Sequence, residues 1–246
     1  MLSITASSVL ICVILFSKLP AFSMLCVPDE QYEYLRSFYN SLHGSGWLWK
    51  NVSSFGKTWD FTVANEDPCE YAWQGITCQS CQASTSVPRT CSHCNITELR
   101  LPSYNLKGSI PNDIQNLSYL RHIDLSENSI ISTLPSTLFN ITNLETLELG
   151  YNSLIGNVPD SISKLTRLSF LRIRNNFLNG TIPSSLAHLQ SSLLNLNLRG
   201  NQLSGTLPSE LGLLTNLQIV AFFMNKLTGT LPASYGNWSK VISIYL

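Results

Sequence analysis

The sequence has 246 residues, with 15 basic and 15 acidic side chains and no formal net charge. That balance leaves no cationic footprint for nucleic acid or for an anionic membrane surface. The length would suit one or two ordinary domains, but an internal period changes that count.

Val9 to Phe16 form a short apolar run, followed by Lys18, Pro20 and Ala21-Phe22-Ser23. The pattern predicts a secretory signal peptide over residues 1–23, although no basic residue precedes the run. The run is too short to span a bilayer, which takes about 20 apolar residues. Cleavage after Ser23 would remove Cys12 and leave six of the seven cysteines. An even number in an exported chain predicts a disulfide framework. Six N-glycosylation sequons, at Asn51, Asn95, Asn116, Asn140, Asn179 and Asn237, agree with a secreted or cell-surface location.

Between Asp29 and Leu42, the residues Tyr32, Leu35, Phe38, Tyr39 and Leu42 fall on one helical face. The spacing predicts a helix that starts after Pro28-Asp29 and ends at Gly44. Further on, Cys78-Gln-Ser-Cys81 and Cys91-Ser-His93-Cys94 have a spacing that can hold zinc tetrahedrally. Thiols oxidised on export cannot act as thiolate ligands, so disulfides are expected there and no metal or cofactor.

From about Ile96 onward the sequence repeats. Leu99/Leu101, Ile123/Leu125, Leu147/Leu149, Leu171/Ile173, Leu196/Leu198, Val220/Phe222 and Ile244/Leu246 recur every 24 residues, with one step of 25. Asn128, Asn152, Asn176, Asn201 and Asn225 follow at one offset, and an apolar-Pro step closes each loop, from Ile110-Pro111 to Leu231-Pro232. Each L-x-L is a short strand with alternating inward and outward side chains. Inward leucines of one coil cannot bury themselves alone, so coils must stack into an α/β solenoid. Each Asn amide is placed to satisfy backbone groups of its own and the neighbouring coil. Tyr104 replaces it in the first coil, as befits a terminal repeat.

Leu154-Ile-Gly156-Asn-Val158-Pro159, Leu178-Asn-Gly180-Thr-Ile182-Pro183, Leu203-Ser-Gly205-Thr-Leu207-Pro208 and Leu227-Thr-Gly229-Thr-Leu231-Pro232 closely resemble the plant-type leucine-rich-repeat pattern. The second coil departs from it, with Ser132 in place of Gly. The resemblance covers about three-fifths of the chain, holds its register over six coils, and is similar to receptor-like kinase ectodomains and polygalacturonase-inhibiting proteins. It implies a superhelix with parallel strands on its concave face, in residues 96–246: six full repeats and the start of a seventh, without a C-terminal cap. Asp67-Pro-Cys69 through Trp73 to Cys78 looks like the family's N-terminal cap, placed here in residues 24–95. The resemblance implies a Cys69–Cys78 disulfide. The vicinal cysteine pair of many relatives is missing, which leaves Cys26 without an assigned partner.

Outward positions of such strands form columns along the sheet. The central one runs Arg100, Asp124, Glu148, Arg172, Asn197, Ala221, Tyr245, and the next runs Pro102, Ser126, Gly150, Arg174, Arg199, Phe223. The third runs Glu98, His122, Thr146, Phe170, Asn195, Ile219, Ser243. Arg100 with Asp124, and Glu148 with Arg172, are expected as exposed ion pairs worth ~0–1 kcal/mol. Arg174 and Arg199 are adjacent like charges with no acid in their column, and Phe223 is a cation–π partner for Arg199. Arg172, Arg174 and Arg199 are therefore candidates to hold an anionic group such as a peptide carboxylate. Phe170, Phe223, Met224 and Tyr245 would supply apolar contact. Arg172-Ile173-Arg174 resembles an Arg-x-Arg motif of plant peptide receptors, shifted one step along the strand.

His122, Asp124 and Ser126 spell a hydrolase triad on one strand, but Cα atoms ~7 Å apart stepwise and no nucleophile turn or oxyanion hole argue against catalysis. The expected function is extracellular binding of a protein or peptide on the concave face, with no nucleic-acid partner. The alternatives are an inhibitor of a secreted polysaccharide-degrading enzyme, similar to polygalacturonase inhibitors, or a passive wall component. The last residues, Ile244-Tyr245-Leu246, open a seventh strand. That predicts a fragment, a truncated gene product or part of a longer protein, in which a membrane span and kinase would follow.

Overall fold

The computed structural model describes residues 29–62, 67–79 and 94–246. The signal-peptide segment, Cys26, Cys81, Cys91 and His93 lie outside the described residues.

Helix α1 spans Asp29–Ser41 and stops three residues before Gly44, the expected end. Its Leu35 and Phe38, with the following Leu42, are fully buried, and Tyr32 and Tyr39 pack against the same core. Around this face gathers a set of rings that the helical period does not signal. Trp59 stacks on Trp73 at 5.7 Å, Phe61 meets Trp73 edge-on at 5.0 Å, and Trp47 meets Trp59 edge-on at 5.1 Å. Such pairs contribute about 0.5–1.5 kcal/mol beyond their area. Their polar ends are largely met: Trp47 Nε1 donates to the Leu42 carbonyl at 2.7 Å and Trp59 Nε1 to that of Gln74 at 2.8 Å.

Cys69 and Cys78 are disulfide-bonded across nine positions of sequence. Cys94 is disulfide-bonded too, so each C-x-x-C pair has one sulfur that is no thiolate and no zinc ligand. Closing a loop of this length stabilises the fold by about 2–3 kcal/mol. The Cys69→Ala, Cys78→Ala double variant is expected to lose that much in a urea titration, and added reductant is expected to shift the parent by more than the variant.

Eight strands form one sheet in chain order: Ile76–Cys78, Ile96–Arg100, His122–Asp124, Thr146–Glu148, Phe170–Arg172, Asn195–Asn197, Ile219–Ala221 and Ser243–Tyr245. The first pairs antiparallel with the second, and all later neighbours are parallel. The register sets Leu99, Ile123, Leu147, Leu171, Leu196 and Val220 in line, all fully buried. Each contributes about 1.5–3 kcal/mol by leaving water. After the five strands from His122–Asp124 to Ile219–Ala221 the chain turns through a left-handed residue, at Glu127, Tyr151, Asn175, Gly200 and Met224. Short lateral strands follow, such as Ile155–Gly156 paired with Phe177–Leu178. Pro111, Pro135, Pro159, Pro183, Pro208 and Pro232 then lead into 3-10 helices with φ between −60° and −77°, which the proline ring presets.

The asparagines form the expected ladder. Asn176 Oδ1 accepts from Leu154 N–H at 2.9 Å, while its Nδ2 donates to the carbonyls of Leu149 at 3.0 Å and Ile173 at 3.3 Å. Asn128, Asn152, Asn201 and Asn225 make the same bonds one coil apart. Tyr104, in the first coil, packs on the N-terminal aromatic residues instead. Its buried ring meets Trp49 edge-on at 6.0 Å, Lys50 Nζ lies 4.6 Å above it, and burial pushes its hydroxyl pKa up. The cap and the coils thus share one continuous apolar core. Among the described residues no helix is long and apolar enough to cross a membrane.

Candidate functional site

The exposed face of the parallel sheet is set by the outward positions of strands whose inward residues are locked in the core. On that face the three candidate arginines behave differently. Arg172 donates from Nη1 to Glu148 Oε2 at 2.9 Å and lies 5.1 Å over the ring of Phe170. Its charge is matched across neighbouring strands, as the register predicted, and the Glu148 side chain is only 16% exposed.

Arg174 turns back toward the preceding coil. Its Cγ fills the space beside Gly150, and its guanidinium sits 5.0 Å over the ring of Tyr151. Arg199 leans the opposite way, 4.9 Å over Phe223. Two like charges just past neighbouring strands ~4.8 Å apart therefore splay, each on an aromatic face, in place of sharing a counter-ion. Among the described residues neither has a carboxylate within ion-pair distance. Both Nε atoms are buried without a hydrogen-bond partner. Such orphaned donors are costly.

Phe223 extends the apolar side of the site to Tyr245, ring to ring at 5.9 Å. Tyr245 is half exposed, and Met224 is 65% exposed at the turn beyond the strand. Phe170 is half-buried beneath Arg172. Asn195, in register between Phe170 and Ile219, is 5% exposed and its Oδ1 is unbonded. The sequence-based reading passed over two of these residues. Tyr151 lies outside the L-x-L columns, at the position before the ladder Asn, where a signal existed in the series Glu127, Tyr151, Asn175, Gly200, Met224. Asn195 sits in a column but carries no charge to single it out.

The expected Arg100–Asp124 ion pair does not form. The two residues are opposite in register, yet Arg100 Nε binds Glu98 Oε2 at 2.6 Å on its own strand. Asp124 is already engaged, because its Oδ1 accepts from the backbone N–H of Ser126 at 3.0 Å and from its hydroxyl at 2.6 Å. That is the local turn bonding Asp favours. His122 Nδ1 meets Thr146 Oγ1 at 3.1 Å on the next strand. Ser126 and His122 are thus bonded to different partners, and the triad spelling assembles no nucleophile and base.

The model of a leucine-rich repeat region matches residues 77–241. The chain belongs to the leucine-rich-repeat family. An LRR receptor-like serine/threonine-protein kinase of Arabidopsis thaliana is 30% identical over 107 residues, which are 44% of this chain and 10% of that relative. The chain therefore spans far less than the length of this curated relative. Among solved structures, the ectodomain of the Arabidopsis receptor kinase SOBIR1 is 26% identical with a TM-score of 0.66, covering 85% of this chain and all of that one. The Arabidopsis HAESA ectodomain, solved with an N-terminally extended IDA peptide hormone, is 29% identical with a TM-score of 0.65. It covers 89% of this chain and 33% of its own. This leucine-rich-repeat chain is thus similar to plant receptor-kinase ectodomains in both sequence and fold.

Proposed function

We propose that this leucine-rich-repeat chain is an extracellular recognition module that binds a peptide or protein on the exposed face of its parallel sheet. The carrying observation is the Arg174–Arg199 pair, two splayed cations with no counter-ion among the described residues. A carboxylate at the end of a peptide supplies two acceptor oxygens and the missing charge. Arg172 joins this group only if the ligand competes with Glu148. Phe223, Tyr245, Met224 and Phe170 line the apolar contact, with Asn195 Oδ1 as an acceptor for a ligand N–H. None of the six sequon asparagines stands in an outward column of the sheet, which leaves the face clear of sugar. Similar ectodomains solved with peptide hormones, HAESA with IDA and RGFR1 with RGF2, support a peptide as the ligand class.

The test uses two matched synthetic peptide libraries, one with free C-terminal carboxylates and one amidated, panned on the secreted chain. Enrichment is expected from the free-acid library alone. The Arg174→Ala, Arg199→Ala variant is expected to lose it by at least about tenfold per arginine, as a charged hydrogen bond is worth about 1.5–3 kcal/mol. Equal enrichment from both libraries would sink the carboxylate assignment.

A further inference from the structure

The flank of the solenoid carries an apolar stripe that the sheet-face site does not use. Ile131, Ile155 and Phe177 are 63%, 45% and 50% exposed. Ile155 and Phe177 are partners in the lateral sheet, and Ile155 also bridges to Thr133 of the coil before. Contiguous exposed apolar surface is costly unless something covers it. Two residues beyond Phe177 stands Asn179, the acceptor of the sequon Asn179-Gly180-Thr181.

Phe177 lies in the lateral strand Phe177–Leu178, and Asn179 is the first residue beyond it. Phe177 and Asn179 are both exposed, with Leu178 buried between them. The Asn179 backbone is fixed by a 2.8 Å bond from its N–H to the Gly156 carbonyl. Its side chain makes no hydrogen bond to the described residues, unlike Asn140, which is held by Gln115 and Lys164, or Asn95, held by Gln31. Past Asn179 the chain runs into a groove of about 600 Å3 whose lining is mixed, with Asn157, Asp160, Thr181 and Ser184 among its polar residues and Val158 and Ile182 among its apolar ones. An apolar ring thus lies on one side of the sequon in the chain, and a groove with hydroxyl, amide and carboxylate groups among its lining lies on the other.

We infer that Asn179 carries an N-linked glycan whose first N-acetylglucosamine packs on the ring of Phe177, covering the Ile155–Phe177 stripe. The sugar's C–H face is weakly positive and the face of an aromatic ring is negative, so the two attract while apolar area leaves water. The groove beyond takes sugar hydroxyls on its polar groups. The flank is thereby closed to other proteins, and recognition is directed to the sheet face. This inference rests on the extracellular reading, because the linkage is made only on export.

The experiment expresses the full chain with its own N-terminus in secreting plant cells and maps every sequon by glycopeptide mass spectrometry. The secreted protein is then trimmed to a single N-acetylglucosamine per site. In the trimmed protein, the N-acetyl methyl resonance assigned to Asn179 is expected upfield of those at the other sites, and Phe177→Ala is expected to abolish that shift. Asn179→Gln is expected to lower the Tm by about 2–4 °C, and to have no measurable effect in the Phe177→Ala background. Sugar at other sequons but not at Asn179 overturns this inference and leaves the extracellular reading standing. Sugar at none of them overturns both. An occupied Asn179 with equal Tm losses in the two backgrounds, or without a ring-current shift, also overturns it.

Discussion

Asn176→Ala is expected to lower folding stability by about 3 kcal/mol, well above the effect of an ordinary surface substitution. The side chain is 5% exposed and its amide serves two coils at once. Removal leaves the Leu154 N–H as a buried donor without an acceptor, which alone costs about 1–3 kcal/mol. The carbonyls of Leu149 and Ile173 suffer less, since Asn152 and Asn201 also donate to them. Asn176→Asp sharpens the test. A carboxylate keeps the acceptor for Leu154 but sets negative charge against two carbonyl oxygens, so it is expected to be at least as harmful as Ala. Asn225, partly buried near the far end of the ladder, is expected to lose less on the same replacement. Urea denaturation of the three variants checks the order, and an Asp variant as stable as the parent would remove the ladder from this account.

Gly75→Ala is expected to cost about 3–5 kcal/mol, because strain and overlap act together there. The residue has φ +77°, and a Cβ would lie 2.4 Å from the Arg100 carbonyl oxygen and 2.6 Å from Leu101 Cδ2. Gly75 is the junction between cap and coils, where its own carbonyl accepts from Arg100 N–H at 2.7 Å. Gly205 provides the control. Its φ is +78°, but a Cβ there meets only Thr181 Cγ2 at 3.0 Å, so Gly205→Ala is expected to cost roughly 1 kcal/mol for the left-handed backbone alone. Hydrogen exchange reports where the damage goes. In Gly75→Ala, the Ile76–Cys78 strand is expected to lose protection while Thr146–Glu148 through Ile219–Ala221 keep theirs, since coils depend on nearest neighbours. Uniform loss along the solenoid would mean that the cap and coils unfold as one unit.

Much of this molecule is carried by periodicity in its sequence. The 24-residue step fixes which leucines face inward, which asparagines bridge coils, and which outward residues become neighbours. The observed pairing of Glu148 with Arg172 and of Thr146 with Phe170 follows from that count alone. The reason is that a period-2 strand and a constant coil length leave only one register that buries every inward residue. The face of α1 and the Cys69–Cys78 bond were also visible, the first through helical spacing and the second through family resemblance.

Side-chain direction was decided only by the tertiary structure. An outward residue of an inner strand has neighbours ~4.8 Å away on two adjacent strands and ~7 Å away on its own, all within reach of a long side chain, so register cannot choose among them. Arg100 takes Glu98 over Asp124 because the Asp is already bound to its local backbone. Arg174 turns toward Tyr151 because Gly150 leaves room for it to lie down, whereas Arg199 finds Phe223 on the other side. Likewise, Trp47, Trp59 and Phe61 carry no period, and their assembly on Trp73 depends on three loop segments meeting over the first coil. The sequence by itself determined the repeating backbone, whose order is local and periodic. The arginines left unpaired among the described residues, their buried donors and the aromatic cap depend on packing between distant segments, which only the folded chain brings together.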